Sequence, residues 1–147
     1  MAESLYLRHD LPEARRLLED CRDTIESIDG WFDVYATAYE VLVRCHQAAG
    51  DVEQTLATLA RTAQLARERQ FKRLTLLTSA WRVEQLVLAG HVKDARNEAR
   101  AAGLAAIAEQ RGRSGFCWRI RLAATLAIAR LSMASGASAH ALGLLDT

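Results

Sequence analysis

A phrase recurs in this chain about every forty residues, and no other feature limits the fold as much. It reads His9-Asp10-Leu11-x-x-Ala14, then Gly50-Asp51-Val52-x-x-Thr55, Gly90-His91-Val92-x-x-Ala95 and Gly136-Ala137-Ser138-x-x-Ala141. The offsets are 41 (10 to 51), 40 (51 to 91) and 46 (91 to 137), too long for a coiled-coil heptad and too regular for unrelated turns. A fixed period of this length marks stacked helical hairpins, each covering its neighbour's apolar face. Function in such an array is carried by surfaces rather than by a catalytic pocket.

Between the repeated phrases the apolar spacing is helical. Leu11, Ala14, Leu17, Leu18, Cys21, Ile25 and Ile28 advance in steps of three and four, as do Val52, Leu56, Leu59, Ala63 and Ala66. Asp10 with Glu13, and Asp51 with Gln54, set a capping acceptor three residues before a side chain able to reach back. Pro12 falls in a first turn, where its missing N–H costs little. Gly30, Gly50, Gly90, Gly112 and Gly136 stand at the stops. The expected helices are a stub at 2–8, then 11–28, 32–49, 52–70, 72–89, 92–111, 116–135 and 138–147. Gly103, inside the 92–111 segment, either permits close packing or marks a bend.

The 147 residues are 50% hydrophobic and 25% charged, a globular composition with enough chain for one core. The N-terminus carries no basic region followed by an apolar run, and no apolar stretch approaches the roughly eighteen residues of a membrane span. Three cysteines, Cys21, Cys45 and Cys117, are odd in number and far apart, so reduced thiols in a cytoplasm are expected. Net charge is +1, but residues 1–60 hold 5 Arg/Lys against 12 Asp/Glu, whereas 61–121 hold 13 against 5. The basic middle either attracts anions or simply solvates outer helical faces; a third reading has acidic and basic segments meeting between repeats or subunits.

A glycine, an acidic residue, an apolar residue, a small one three later and another apolar one after four more resemble the tetratricopeptide (TPR) repeat. The second repeat shows this as Tyr39, Leu42, Gly50, Asp51, Val52, Thr55 and Leu59, the third as Leu86, Gly90, His91, Val92, Ala95 and Ala99. Val43, Val83 and Ala129 stand where that family often has glycine, Arg82 stands where it prefers an apolar residue, and the period exceeds its usual length. Two longer phrases are Ser79-Ala80-Trp81-Arg82-x-x-x-Leu86-x-Leu88-Ala89-Gly90-x-Val92-x-x-Ala95-Arg96 and Leu5-Tyr6-x-Arg8-His9-Asp10-Leu11-x-x-Ala14-Arg15. They resemble the helical-repeat region of large ATP-dependent LuxR-type transcription regulators of the MalT kind.

The resemblance implies an all-α fold of antiparallel helix hairpins, a TPR-like right-handed superhelix or α-solenoid. It implies one domain over 1–147, with a partial repeat at 1–30, repeats at 31–71 and 72–112, and a partial repeat at 113–147. The last hairpin stops in mid-pattern at Leu144-Leu145-Asp146-Thr147, so a longer natural chain, or a partner covering the ends, is expected. Members of that family carry an NTPase module and a helix-turn-helix, and their repeats sense an inducer or regulatory protein. This chain has no GxxxxGK[ST] loop, so it reads as the sensor segment alone. The implied partners are a small-molecule inducer or a regulatory protein or peptide. A homo-oligomer is compatible, and direct nucleic-acid binding is not expected. The alternative is a freestanding TPR adaptor that docks a partner's peptide.

Helical spacing nominates a concave face. On the first helix of repeat two, Thr37, Glu40, Val41, Arg44 and Gln47 oppose the more apolar Tyr35, Ala38, Tyr39, Leu42 and His46, so the first stripe is expected to face out. Equivalent positions are Leu77, Ala80, Trp81, Glu84 and Val87 in repeat three and Ala123, Leu126, Ala127, Arg130 and Met133 in repeat four. The candidate ligand- or peptide-binding residues are therefore Glu40, Arg44, Gln47, Trp81, Glu84 and Arg130, an aromatic with charged anchors. The same stripe serves equally to line a superhelix or meet the next repeat.

No catalytic residue, metal ligand or cofactor emerges. Cys45-His46, His9, His91 and His140 lack ligand spacing, since helix neighbours point about 100° apart. Cys117 between Phe116 and Trp118 reads as an apolar filler. Ser114-Gly115-Phe116 near Arg111 and Arg113 fits an anion-binding helix start or a plain Gly-rich turn. Trp31 and Trp118 read as packing residues, and Trp81 as the one aromatic to test for recognition.

Overall fold

The computed structural model describes residues 2–7, 10–27, 32–110 and 117–146. Among the described residues every regular element is a helix, as the periodicity predicts. The ten are α1 (Ala2–Leu7), α2 (Leu11–Asp20), α3 (Arg22–Ser27), α4 (Phe32–Ala48), α5 (Val52–Glu68), α6 (Lys72–Leu88), α7 (Val92–Ala101), α8 (Leu104–Glu109), α9 (Trp118–Ala134) and α10 (Ser138–Leu145). None is long and apolar enough to cross a membrane. Gly30, Trp31 and the 111–116 stretch with Gly112, like His9, lie outside the described residues.

The forty-residue period resolves into two strides. Helices α4, α5, α6 and α9 are each 17 residues long. Three-residue turns follow them, so α4, α5, α6 and α7 start 20 residues apart, at 32, 52, 72 and 92. Each turn closes the same way: the N–H of Asp51, Phe71, His91 and Ala137 donates to the carbonyl five residues back, at 2.8–3.0 Å. That closure demands a left-handed residue, supplied by Gly50, Gly90 and Gly136 at φ 70–80° and by Gln70 at φ 55°. Gln70 is why the sequence shows the phrase only at every second turn. Of the expected caps, Asp51 accepts from the Gln54 N–H at 3.0 Å. The Asp10 side chain makes no such bond, and Glu13 pairs with Arg16 instead.

Two expected helices are broken. The 11–28 segment divides at Cys21 (φ −92°, ψ 1°) into α2 and α3. The 92–111 segment divides at Gly103, which decides between the two readings open from the sequence: its φ is 65°, and a Cβ there would meet nothing within 4 Å. Gly103 is a bend, not a close-packing contact.

The chain forms two compact units, Met1–Leu74 and Thr75–Thr147. In the first, α4 packs against α1, α2 and α5. Its centre is Ala14, Leu18, Ala38, Val41, Leu42 and Cys45, with Tyr6, Leu11 and Ile25 against it. Phe71 reaches the buried Tyr35 ring at 5.5 Å, and the Arg73 guanidinium lies 6.0 Å from the Phe32 ring. In the second unit α9 packs against α7, α8 and α10. Ala123, Ala124, Ala127 and Ala129 on α9 are buried, and such small side chains let neighbouring helices approach closely. Leu104 and Ile107 of α8 and Leu144 of α10 are also buried, each burial stabilising by about 2 kcal/mol.

Candidate functional site

The face nominated from spacing does not survive as one open stripe. Glu40, Arg44 and Gln47 lie half-exposed on α4, with Arg44 Nη1 donating to Gln47 Oε1 at 3.3 Å. Trp81 and Glu84 on α6 are buried, at 1% and 0% exposure, so the expectation that they face a ligand is corrected. The reason is that α6 is covered on most of its circumference: Leu77, Thr78, Ala80, Val83 and Gln85 are buried too. A helix wrapped this far has no polar outer half for a two-face reading to find. Arg130 is exposed on α9, but its guanidinium donates to the buried Glu84 carboxylate, so this pair is a structural tie. In repeat four the stripe is mixed, with Ala123 and Ala127 buried and Met133 exposed.

What the second unit does open is a groove of about 790 Å³ along α9 and α10. Trp118, Leu122 and Leu126 line it from α9 at helical steps of four, and Leu144 and Leu145 line it from α10. Trp118 is 66% exposed, Leu122 50%, and Leu145 53%. A contiguous run of large exposed apolar side chains is the usual mark of a binding surface. Polar groups sit on its edge, namely Gln110, Arg121, Thr125 and Asp146. The Arg119 guanidinium lies 5.4 Å from the Trp118 ring. Its volume falls in the range of ligand sites generally, with a lining that mixes apolar and polar groups in similar measure. A signal for it stands in the sequence: α9 carries a second apolar stripe, 118–122–126–133, beside its alanine face, and reading Trp118 as packing hides that stripe.

The first unit is closed by polar contacts that local sequence does not flag. The Glu26 carboxylate of α3 accepts from Arg61 Nε at 3.1 Å, from Arg61 Nη2 and from the Tyr39 hydroxyl. Its backbone carbonyl accepts from Arg69 Nη2 at 2.8 Å. The Arg61 bonds hold the Glu26 carboxyl below its ordinary range, and burial together with Glu26 pushes the Tyr39 hydroxyl up. The arginine contacts join residues 35 and 43 positions apart, so no local pattern announces them.

A cavity of about 510 Å³ in the same unit is walled by Arg15, Arg16, Glu19 and Cys45. Its charges are already engaged along α2: Arg15 with Glu19 at 3.0 Å, and Arg16 with Glu13 and Asp20. Burial pushes the Cys45 thiol pKa up, which disfavours the reactive thiolate. His46 is 1% exposed, and burial holds its pKa below the ordinary value.

One trio shares the connectivity of a nucleophile relay. Ser132 Oγ lies 2.9 Å from His140 Nδ1, and His140 Nε2 lies 3.7 Å from Glu109 Oε1, beyond hydrogen-bond reach. Ser132 is buried in the last turns of α9, where nearby N–H groups are committed to the helix and the carbonyl accepts from Ala137. The Ser132–His140 contact ties α10 to α9. Among the described residues no three His, Cys, Asp or Glu side chains gather to hold a metal ion.

No protein-family model, curated protein or solved structure matches the chain.

Proposed function

We propose that the chain is a binding segment of helical hairpins stacked in the manner of TPR repeats, the effector-sensing part of a cytoplasmic LuxR-type regulator of the MalT kind. Three supports come together. The 20-residue stride with a left-handed turn at its end is what a regular array of hairpins requires. The phrases around Trp81 and around Asp10 resemble that regulator family. The observation that carries the reading is the open groove of the second unit, where the large apolar side chains of Trp118, Leu122 and Leu145 present surface that a folded chain normally buries.

In this reading the occupant of the groove, an inducer or a regulatory protein, shifts the population of one arrangement of the repeats, and flanking modules read that shift. The test is a thermal-shift screen of sugars, aromatic catabolites and peptides against the wild-type chain and Leu122→Glu. A ligand selective for the folded form raises the melting temperature by mass action. The expected result is a rise for at least one class in wild type and none in the variant. A rise retained in Leu122→Glu places binding elsewhere, and no rise with any class overturns the reading.

A further inference from the structure

We propose that Tyr39, Arg61 and Arg69 form a recognition site for a glutamate residue of a peptide, and that Glu26 occupies it from within the chain as a displaceable stand-in for that ligand. The site lies in the first unit and does not depend on the groove of the second.

The grip has two points, and both fall on one residue. Arg61 and the Tyr39 hydroxyl hold the Glu26 side-chain carboxylate, Arg61 through Nε to one oxygen at 3.1 Å and through Nη2 to the other. Arg69 Nη2 donates to the main-chain carbonyl of the same residue at 2.8 Å. A planar guanidinium that meets both oxygens makes a fork that a neutral side-chain amide, with one acceptor oxygen, does not fill. A bare carboxylate satisfies Arg61 and Tyr39 alone. The second hold, on a peptide carbonyl, makes a glutamate within a chain the better ligand.

The receptor half is well anchored, and the occupant is lightly held. Tyr39 and Arg61 project from α4 and α5, each 17 residues long, and Tyr39 is buried. Helix α3 has six residues and buries none of them; it is divided from α2 by the break at Cys21, and Ile25 is only partly buried against the core. A segment that buries so little surface opens locally at low cost. The Arg61 side chain is 42% exposed, so an incoming residue reaches the guanidinium from solvent. With α3 lifted away, Arg61 and Arg69 remain against the nearby Glu68 carboxylate, and the excess of positive charge is what a second glutamate balances.

The experiment uses the full chain and a hexapeptide of the α3 sequence with blocked ends, Arg-Asp-Thr-Ile-Glu-Ser, beside the same peptide with glutamine for glutamate and beside acetate. Melting temperature at rising ligand concentration reads binding to wild type, Glu26→Ala and Glu26→Asp, with circular dichroism confirming that each is folded. In the wild type Glu26 competes as a tethered ligand at high effective concentration, so the glutamate peptide is expected to bind Glu26→Ala at least about tenfold tighter. Glu26→Asp, with a shorter reach, should fall between the two, and it carries the test if Glu26→Ala does not fold. Glutamine in the peptide, or Arg61→Gln added to Glu26→Ala, should weaken binding at least about tenfold, and acetate should bind more weakly than the peptide. Saturating peptide should also speed hydrogen exchange in α3 of the wild type while α4 and α5 stay protected.

Equal binding of the glutamate and glutamine peptides, or binding that Arg61→Gln leaves unchanged, overturns the site. Acetate held as tightly as the peptide makes the ligand a bare carboxylate and overturns the peptide. A peptide that binds Glu26→Ala but never speeds α3 exchange in the wild type makes Glu26 a fixed tie and overturns displacement. No binding to whichever of Glu26→Ala and Glu26→Asp is folded overturns the whole proposal. A ligand of the second unit's groove, read by Leu122→Glu, is untouched by any of these results.

Discussion

Each unit contains a 17-residue helix closed by a three-residue turn, α4 and α5 in the first and α9 in the second, and the two finish their surfaces in opposite ways. The first, Met1–Leu74, draws its long-range polar contacts inward: one carboxylate, Glu26, gathers Arg61 and the Tyr39 hydroxyl, and its carbonyl gathers Arg69. The second packs α7, α8 and α10 on the alanine face of α9 and leaves the opposite stripe of the same helix, Trp118 and Leu122, in solvent. A repeat module specifies its turns and its buried face. What the remaining face does is set by a few side chains that the period does not constrain.

The largest expected effect is at the tie within the second unit. Arg130→Ala leaves the fully buried Glu84 carboxylate without its half-exposed guanidinium, and an uncompensated buried charge costs about 3 kcal/mol. Urea unfolding measures it, and hydrogen exchange should place the lost protection in α6 and α9. Replacing both Glu84 and Arg130 by apolar residues should recover most of the loss, because the buried carboxylate is then gone as well.

Next comes the clamp. Glu26→Ala strands the Tyr39 hydroxyl, on a residue only 4% exposed, and should cost about 2 kcal/mol, with the loss of protection in α3 and α4. The pH dependence has a fixed sign. Glu26 titrates below its ordinary 4.5 in the folded chain, so its contribution is full above 4.5 and fades as pH falls through the depressed value. Glu26→Gln should flatten that acid limb. His46, also depressed, adds a loss that begins as pH falls past its ordinary 6.5, where the unfolded chain takes up a proton that the buried ring refuses.

A smaller pair of changes should move stability in opposite directions. Gly103→Ala forces a Cβ into a left-handed backbone and should cost about 1 kcal/mol, although nothing crowds the site. Gln70→Gly relieves the same strain at the one of the four described left-handed turns that lacks glycine, and should gain about 0.5 kcal/mol, the unfolded chain's added freedom offsetting part of the relief. Thermal denaturation of both variants checks the signs. The smallest stability effect falls on the groove: Trp118→Ala and Leu122→Ala should change stability by no more than about 0.5 kcal/mol, because both side chains are exposed. They should nonetheless weaken binding of whatever ligand shifts the wild type.

Helix existence, the turn glycines and the Asp51 cap were legible in the sequence because each rests on neighbours within one turn of chain. The breaks at Cys21 and Gly103 fall where periodicity continues unbroken while one backbone angle departs, which a pattern of apolar residues does not record. The site was harder. Glu40, Arg44 and Gln47 lie on an accessible side of α4, but the rule that polar means outward fails for α6, where Thr78, Glu84 and Gln85 are buried. It fails the other way on α9, where both faces are apolar and only packing decides which is covered. Long-range partners such as Glu26 and Arg61 leave no local trace.

Hydroxyl-radical footprinting of the full chain, read residue by residue by mass spectrometry, tests the contrast between the units most directly. Trp118, Leu122 and Leu145 are expected to be modified rapidly while Trp81, Leu104 and Tyr35 stay protected, and a bound ligand should suppress labelling at the first three alone. Slow modification of Trp118 and Leu122, equal to that of Trp81, would mean that the groove is closed in solution and would contradict the account.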